Sequence, residues 1–122
     1  MDIRKSTGRR GEYAAASFLR SRGVAILKNN FRSRFGEIDL LAMDGKYLIA
    51  VEVKTRRYEA AGHPAESVDY RKQVRICRTF NYYRMVYKIP EDMPVRMDVV
   101  EVIPQDGGYL CHWIKNAFEF VE

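Results

Sequence analysis

A predicted β-hairpin in residues 35–57 constrains the fold of this chain more than any other stretch. Its Asp44-Gly45 pair lies between two runs rich in Ile, Leu, Val and Tyr, which favours a two-residue type I′ turn. Met43 and Lys46 then flank the turn, and this choice sets which residues of the two strands lie opposite each other.

Charged side chains gather at the open end of this hairpin. The predicted register sets Ala50 opposite Asp39 and Glu52 opposite Glu37. Because side chains alternate along a strand, Glu37, Asp39, Glu52 and Lys54 share one face. Asp39 and Glu52 are then diagonal neighbours with Cβ atoms about 7–8 Å apart, so two carboxylates could share one metal ion.

The rest of the sequence predicts one α/β domain with a mixed central sheet flanked by helices. At 122 residues and 47% hydrophobic content, the chain suits a single compact domain over residues 1–122. Ser6 or Thr7 and Ser67 are candidate N-caps of two helices, and Gly23 ends the first helix. The predicted order is α-β-β-β-α-β-β, with helices over residues 6–22 and 67–87 and strands over residues 24–31, 37–43, 47–55, 95–103 and 109–114.

Composition argues against several classes of protein. No apolar run approaches the roughly 20 residues that span a bilayer, and the first residues lack the apolar segment of a secretory signal. Cys77 and Cys111 form no CxxC pair, so zinc-ribbon and redox motifs are not predicted. We expect a soluble cytoplasmic protein with reduced thiols and no membrane partner.

Positive charge is concentrated in the first half of the chain. Of the net charge of +5, residues 1–57 carry +7 and residues 58–122 carry −2. A basic surface attracts polyanions, which favours DNA or another nucleic acid as a partner, with solubility alone as the alternative. Arginines recur on one face of the second helix, either as phosphate contacts or as a solvated face. The predicted nucleic-acid contacts are Arg9, Arg10, Arg32, Arg34, Arg56, Arg71, Arg75 and Arg78.

The charged hairpin face has the composition of a magnesium site. Mg²⁺ prefers oxygen ligands and keeps several waters, so the Asp39 and Glu52 carboxylates with the Val53 carbonyl would suffice. Lys54 could orient or deprotonate an attacking water and neutralise charge on a phosphate. Glu-x-Lys alone is more often a surface pair. Together with Asp39 in register, it favours phosphodiester hydrolysis with Mg²⁺ or Mn²⁺.

Five motifs resemble the ordered signatures of the bacterial YraN-like proteins. They are Gly8-x-x-Gly11-Glu12, Asn30-x-Arg32, Gly36-Glu37-Ile38-Asp39-Leu40, Val51-Glu52-Val53-Lys54-Thr55-Arg56 and Arg96-Met97-Asp98-Val99-Val100. That uncharacterised family is similar to archaeal Holliday junction resolvases and to restriction-endonuclease-like nucleases with an Mg²⁺-binding Asp and Glu-x-Lys site. The resemblance implies a restriction-endonuclease-like fold, a homodimer, and site residues at Glu12, Asp39, Glu52 and Lys54.

Several single residues are further candidates. Glu12 is catalytic by resemblance, although a first-turn acid favoured by the helix dipole is an alternative. Glu37 is expected to position a metal ligand. Gln73 matches a second-helix glutamine of related nucleases, and a surface glutamine explains it as well. Asp98 fits the motif without an evident role.

Histidine and tryptophan residues outside the motifs allow two interpretations. His63, in a predicted loop over residues 56–66, is a candidate general acid or phosphate contact. His112 and Trp113 are interpreted as part of a layer that covers the sheet, although exposed aromatics could stack bases.

These features predict a divalent-metal-dependent endonuclease that acts on structured or branched DNA. Two alternatives stay open. One is a non-catalytic nucleic-acid-binding or adaptor module that retains the nuclease fold, and the other is a structural set of ion pairs in a protein–protein adaptor.

Overall fold

A five-stranded sheet lies at the centre of the protein, and one helix packs against each of its faces. The computed structural model describes residues 3–56 and 68–121, with side chains from residue 9 onward. In that part of the chain, neither helix has the length and apolar character needed to cross a membrane. The predicted loop beyond Arg56, including His63 and Ser67, lies outside the described residues. The elements are α1 (Ile3–Ser21), β1 (Ala25–Ser33), β2 (Gly36–Asp44), β3 (Tyr47–Thr55), α2 (Tyr70–Val86), β4 (Val95–Gln105) and β5 (Gly108–Phe118).

The sheet is mixed because one of its strand pairs is parallel. β1, β2 and β3 form an antiparallel meander, β3 pairs in parallel with β4, and β5 returns antiparallel to β4. Parallel neighbours need a crossover connection, and the chain makes it through α2. The predicted α/β class and the order α-β-β-β-α-β-β are confirmed, although β1, β2, β4 and β5 extend beyond their predicted ends.

The predicted register of the β2–β3 hairpin is wrong. Asp44 pairs with Tyr47, so the turn residues are Gly45 and Lys46. Gly45 has a φ of 58° and Lys46 has no positive φ, which is the pattern of a type II′ turn with glycine first. The faces of β3 and of residues 40–44 in β2 stay as predicted, whereas Ile38 lies on the face opposite to the predicted one. Each β2 residue pairs with a β3 residue two positions further along.

Each face of the sheet carries its own apolar cluster. Ala50 of β3 packs in the cluster that contains Phe80 of α2, whereas Val51 packs in the cluster that contains Leu19 of α1. β3 is therefore buried on both faces, as expected for a strand in the middle of a helix-covered sheet. Full burial of one valine, leucine or phenylalanine side chain contributes about 1.5–3 kcal/mol to stability. The two clusters hold both helices against the strand that carries Glu52.

Gly11 allows α1 to approach the end of β3. The residue is buried, and a Cβ atom added to it would overlap Oγ1 of Thr55. α1 therefore packs closely against the sheet at this residue. It also sets Glu12 near the end of β3 that carries Lys54.

Both helices begin at residues other than those predicted. α1 begins at Ile3, so Ser6 and Thr7 lie inside the helix and do not cap it. The N-cap of α2 is Asp69, whose Oδ1 accepts the N–H of Lys72 at 2.9 Å. Aspartate is as good a cap as the predicted serine because its carboxylate also favours the positive end of the helix dipole.

Candidate active site at the open end of the hairpin

The β2–β3 hairpin separates where its charged residues begin. Backbone pairing runs from Asp44 and Tyr47 to Leu40 and Val51. Beyond that point a side chain replaces the backbone acceptor. The Val53 N–H donates to Oδ2 of Asp39 at 2.8 Å. A carboxylate thus takes the place of a backbone acceptor and is fixed in the gap between the two strands.

The side-chain alternation of β2 changes at Asp39. Ile38 packs in the α2-side cluster and Leu40 in the α1-side cluster, although residues two apart in a regular strand share a face. The strand is therefore rotated around Asp39. This places the Asp39 carboxyl between the two helix layers, where groups from α1 and α2 both influence it.

Two carboxylates meet in this gap. If the hairpin register continued, Asp39 would lie opposite Glu52, which is buried. Desolvation and the charge of Glu52 raise the pKa of Asp39 well above its usual range, against the effect of the Val53 N–H. The observed register no longer supports the predicted diagonal arrangement, and Glu52 is close enough for its charge to act on Asp39. Such a pair is costly to keep ionised unless positive charge is supplied.

Two lysines supply positive charge to the pair. Lys72 of α2 forms an ion pair with Glu52. Burial alone would lower the pKa of Lys72, but the contact with Glu52 outweighs burial and raises it. Lys54 is half-buried, and burial followed by the neighbouring Lys72 ammonium lowers the pKa of Lys54. The site therefore combines an acid and two lysines whose pKa values are displaced from their usual ranges.

Glu12 lies on the α1 side of the same region. It is half-buried, and desolvation raises its pKa. A hydrogen bond from the Asn30 side chain opposes this shift, whereas the charges of Glu37 and Glu52 add to it. Asn30 has a φ of 52°, a left-handed conformation that asparagine tolerates better than most residues. Glu12 is thus within electrostatic reach of the acid pair, and its catalytic role stays a prediction.

A polar cleft of about 400 Å³ opens over the acid pair. Its lining includes Asp39, Glu52, Glu37, Lys72 and Arg75. Acidic groups lie beside cationic groups that can contact a phosphate oxygen. This combination suits an anionic substrate approaching a cation held by the acids.

The β1–β2 turn forms one wall of the cleft and is fixed to α2. Oγ of Ser33 accepts the Phe35 N–H at 3.0 Å and lies 3.0 Å from Oγ1 of Thr79. Gly36 has a φ of 154°, and a Cβ there would lie 3.3 Å from Cβ of Arg75. The turn can therefore pass close to α2, and the hydroxyl pair holds it in place.

Two of the predicted nucleic-acid contacts form ion pairs within the protein. Nε of Arg32 lies 3.6 Å from Glu37, and both side chains are partly or largely exposed. Nε of Arg56 lies 2.6 Å from the buried Glu101, although its N–H is not aligned for a hydrogen bond. Arg56 is therefore engaged by Glu101, and its contact with a phosphate stays a prediction.

The other predicted arginines face solvent near the cleft or on the helix surfaces. Arg34 and Arg75 line the cleft. Arg78 lies one helical turn beyond Arg75 on α2 and is exposed, which agrees with the predicted row. The remaining exposed members of the set are Arg9, Arg10 and Arg71.

Gln73 has a structural contact at the start of α2. Its Nε2 donates to the Val68 carbonyl at 2.8 Å. The side chain therefore holds the segment that enters the helix next to Lys72. Its predicted role beside a metal ligand stays a prediction.

Asp98 belongs to a buried network away from the cleft. Its two oxygens accept hydrogen bonds of 2.7–2.9 Å from Arg96, from Nε1 of Trp113 and from the Asn116 N–H. The β4–β5 register shifts at this residue, so the carboxylate satisfies donors that the ladder leaves free. The role left open by the sequence is structural, and Trp113 lies in the covering layer as predicted.

The acid pair fits a hard divalent cation. Among the described residues, no three His, Cys, Asp or Glu side chains are grouped to hold a metal ion. Mg²⁺ is often held by one or two carboxylates, with waters and substrate phosphates as the other ligands. Asp39 and Glu52 would supply those carboxylates, and the raised pKa of Asp39 reflects its burial and then the repulsion by Glu52, which a cation would offset. The Val53 carbonyl stays the predicted third ligand.

Sequence reasoning missed Lys72, although the sequence contained a signal for it. Lys72 lies four residues before Ile76, and Ile76 lies four before Phe80, so the lysine is on the buried stripe of α2. A lysine at such a position needs an acidic partner. That requirement would have linked the start of α2 to the acids of the hairpin.

Comparisons with known proteins match the sequence of this chain to an uncharacterised protein family. A sequence model of the uncharacterised protein family UPF0102 matches residues 11–102. A UPF0102 protein of Symbiobacterium thermophilum is 47% identical over 115 residues, covering 93% of this chain and 97% of that protein. UPF0102 proteins of Lachnoclostridium phytofermentans and Geotalea uraniireducens are 40% and 42% identical over 116 residues, covering 95% and 94% of this chain and 95% and 91% of those proteins.

Proposed function

We propose that this chain, which belongs to the uncharacterised protein family UPF0102, is a divalent-metal-dependent endonuclease acting on structured or branched DNA. The observation that carries the proposal is the Asp39 and Glu52 pair, held in the opened end of the hairpin with Lys54 and Lys72 beside it. Arg75 on the cleft lining supports an anionic substrate.

Each residue of the site has its own role in phosphodiester hydrolysis. A divalent cation held by Asp39 and Glu52 would supply the Lewis acidity that polarises the scissile phosphate. Lys54 orients the attacking water and stabilises the charge that develops on the phosphate oxygens. Water adds to phosphorus and gives up one proton while the bond to the leaving sugar oxygen breaks, and that oxygen takes up one proton, so the proton count is unchanged. Arg75 holds the strand through a neighbouring phosphate.

The motif resemblance supports the choice of reaction and substrate. The YraN-like signatures cover the acid pair and Lys54, and their similarity to junction resolvases and restriction-endonuclease-like nucleases favours branched DNA. The mixed sheet with helices on both faces is compatible with that nuclease fold.

A cleavage assay tests the proposal. The protein is incubated with labelled four-way junction, flap and linear DNA in Mg²⁺ or Mn²⁺, and at least one substrate should be cut. Asp39→Asn and Glu52→Gln keep the side-chain shapes and should lower the rate by about a hundredfold or more. Glu119→Gln removes an exposed carboxylate outside the cleft lining and serves as the control.

Metal binding gives an independent measurement. A ligand that binds only the folded state raises its stability, so Mg²⁺ should raise the melting temperature of the native protein. It should not raise that of Asp39→Asn. No cleavage of any substrate together with no stabilisation by either metal would overturn the proposal.

A non-catalytic nucleic-acid-binding or adaptor module is a second candidate, and the Lys72–Glu52 ion pair favours it. The lysine neutralises one acid without a metal, so the cluster can stay folded with no cation. This alternative predicts salt-dependent DNA binding that survives Asp39→Asn, with no metal requirement and no cleavage.

A further inference from the structure

A second groove continues from the acidic cleft along α2. Its volume is about 620 Å³, within the range of ligand-binding pockets. It shares Arg34 and Phe35 with the cleft, so the two form one continuous depression. The groove is lined by Arg34, Phe35, Arg78, Asn81, Tyr82 and Met85.

The chemistry of the groove suits nucleobases and phosphates. Phe35 and Tyr82 provide aromatic surface, and Met85 is 69% exposed, which is unusual for a large apolar side chain. Arg34 and Arg78 add positive charge, and among the described residues neither of them pairs with an acid. Aromatic rings between unpaired arginines are the composition of sites that stack bases and hold the sugar–phosphate backbone.

Both rings are held in place before any ligand arrives. The Phe35 N–H donates to Ser33, which is fixed to α2, and the Arg34 guanidinium lies 4.9 Å from the Phe35 ring centroid. The Tyr82 ring packs against Phe31 with 6.1 Å between centroids. Preorganised rings lose little conformational entropy on binding.

We infer that this groove binds an unpaired strand of DNA, whose bases stack on Phe35 and Tyr82 while the strand continues into the acidic cleft. The inference rests on the proposed function, since the cleft defines which end of the strand is cut. Paired bases cannot present their faces to a side-chain ring, so the groove selects single-stranded regions next to a junction or at a flap.

A second copy of this chain is a poorer occupant of the groove. A two-fold interface is formed by the same patch on both subunits. It would bring two sets of Arg34 and Arg78 together, and like charges at an interface are costly. A polyanion neutralises the same arginines.

Metal-free binding tests the inference separately from cleavage. Fluorescence anisotropy compares the full chain with a labelled single strand of about 16 nucleotides and with its duplex, in EDTA. The single strand should bind more tightly. Tyr82→Leu and Phe35→Leu keep apolar volume and should each weaken single-strand binding by about tenfold while leaving duplex binding unchanged. Tyr109→Leu, at an exposed tyrosine of β5 outside the groove, is the control.

An abasic oligonucleotide provides a readout that needs no variant. Removing the bases should weaken binding to the native protein by a similar factor. Equal affinity for the abasic strand, an equal weakening of duplex binding in Tyr82→Leu, or tighter binding to RNA of the same sequence would overturn the inference. So would a change from dimer to monomer in Tyr82→Leu with oligonucleotide binding unchanged.

The two proposals fail in different ways. Base-dependent single-strand binding, with neither cleavage nor stabilisation by either metal, would reject the nuclease and keep the groove. Metal-dependent cleavage that Tyr82→Leu leaves unchanged, with unchanged single-strand binding, would reject the groove and keep the nuclease.

Discussion

At the scale of single residues, two carboxylates of this protein have different surroundings. Asp39 is opposed by another acid, and its raised pKa shows that the arrangement is unfavourable to an isolated anion. Asp98 is fully buried but receives donors from Arg96, Trp113 and Asn116. Burial alone therefore does not make Asp98 a candidate functional acid, whereas burial against a like charge makes Asp39 one.

Replacing Asp98 should destabilise the protein strongly. Asp98→Asn keeps the shape but leaves the Arg96 guanidinium without its buried counter-charge. Breaking a buried pair in this way costs about 3–5 kcal/mol of unfolding free energy, measured by urea denaturation. Glu119→Gln, at an exposed acid, is the control and should change stability little. A destabilisation no larger than that of the control would show that the network contributes little.

At the scale of elements, the start of α2 links the helix to the acid pair. Asp69 caps the helix through the N–H of Lys72, and the side chain of the same lysine reaches Glu52. Lys72 therefore holds the first turn of α2 in two ways, through its backbone N–H to Asp69 and through its side chain to Glu52.

Removing the cap should weaken α2 by a predictable amount. Asp69→Ala is expected to cost about 1 kcal/mol of unfolding free energy because the Lys72 N–H loses its acceptor. Asp69→Asn retains an acceptor oxygen and is the matched control. Urea denaturation of both variants measures the difference, and equal stabilities would show that the cap is not the source of the effect.

A second contact between elements ties the hairpin tip to β4 and depends on pH. The hydrogen bond from Arg96 lowers the pKa of Asp44, burial opposes it, and Lys115 lowers it further. The folded-state pKa is therefore below the unfolded one, so the stabilisation is present above the unfolded value of about 3.9 and is lost as pH falls through the folded value.

Comparison with Asp44→Asn isolates this effect. The native protein should be the more stable of the two above the unfolded pKa, and the gap in urea denaturation should close as the solution is acidified. Asp92→Asn, at an exposed acid of the loop before β4, should show no such pH-dependent gap. A gap that stays constant through acid pH would contradict the assignment.

At the scale of the whole molecule, the sequence determined the element order better than the details that form the site. The alternation of β3 and the repeat of α2 predicted their faces because burial imposes those periods. The hairpin partners of Asp39 were wrong because Gly45 can serve as the first or the second turn residue, and sequence does not distinguish the two. The groove at Phe35 and Tyr82 could not be predicted, because it joins a turn to a distant helix.

The uneven charge of the molecule should appear in the salt dependence of DNA binding. Each phosphate that the protein no longer neutralises lowers the slope of log K against log salt by about 0.7 for a single strand. Arg75→Gln with Arg78→Gln should therefore reduce the slope by about 1.4. Arg22→Gln with Lys46→Gln makes the same charge change away from the cleft and groove linings and is the control. Equal slopes for the two double variants would remove the arginine row from the binding surface.

The parallel pairing of β3 with β4 also has a consequence for the order in which the molecule assembles. β1 to β3 are joined by short turns, so their pairing closes small loops and costs little chain entropy, whereas β4 reaches β3 only after the α2 crossover. We expect the Asp39 and Glu52 strands to come together early and Lys72 to arrive later. In pulse-labelling hydrogen exchange during refolding, amides bonded between β2 and β3 should be protected before those bonded between β3 and β4. The nascent protein would then hold its two acids together for a time without the lysine that neutralises one of them, and a cation could assist folding before any substrate is met.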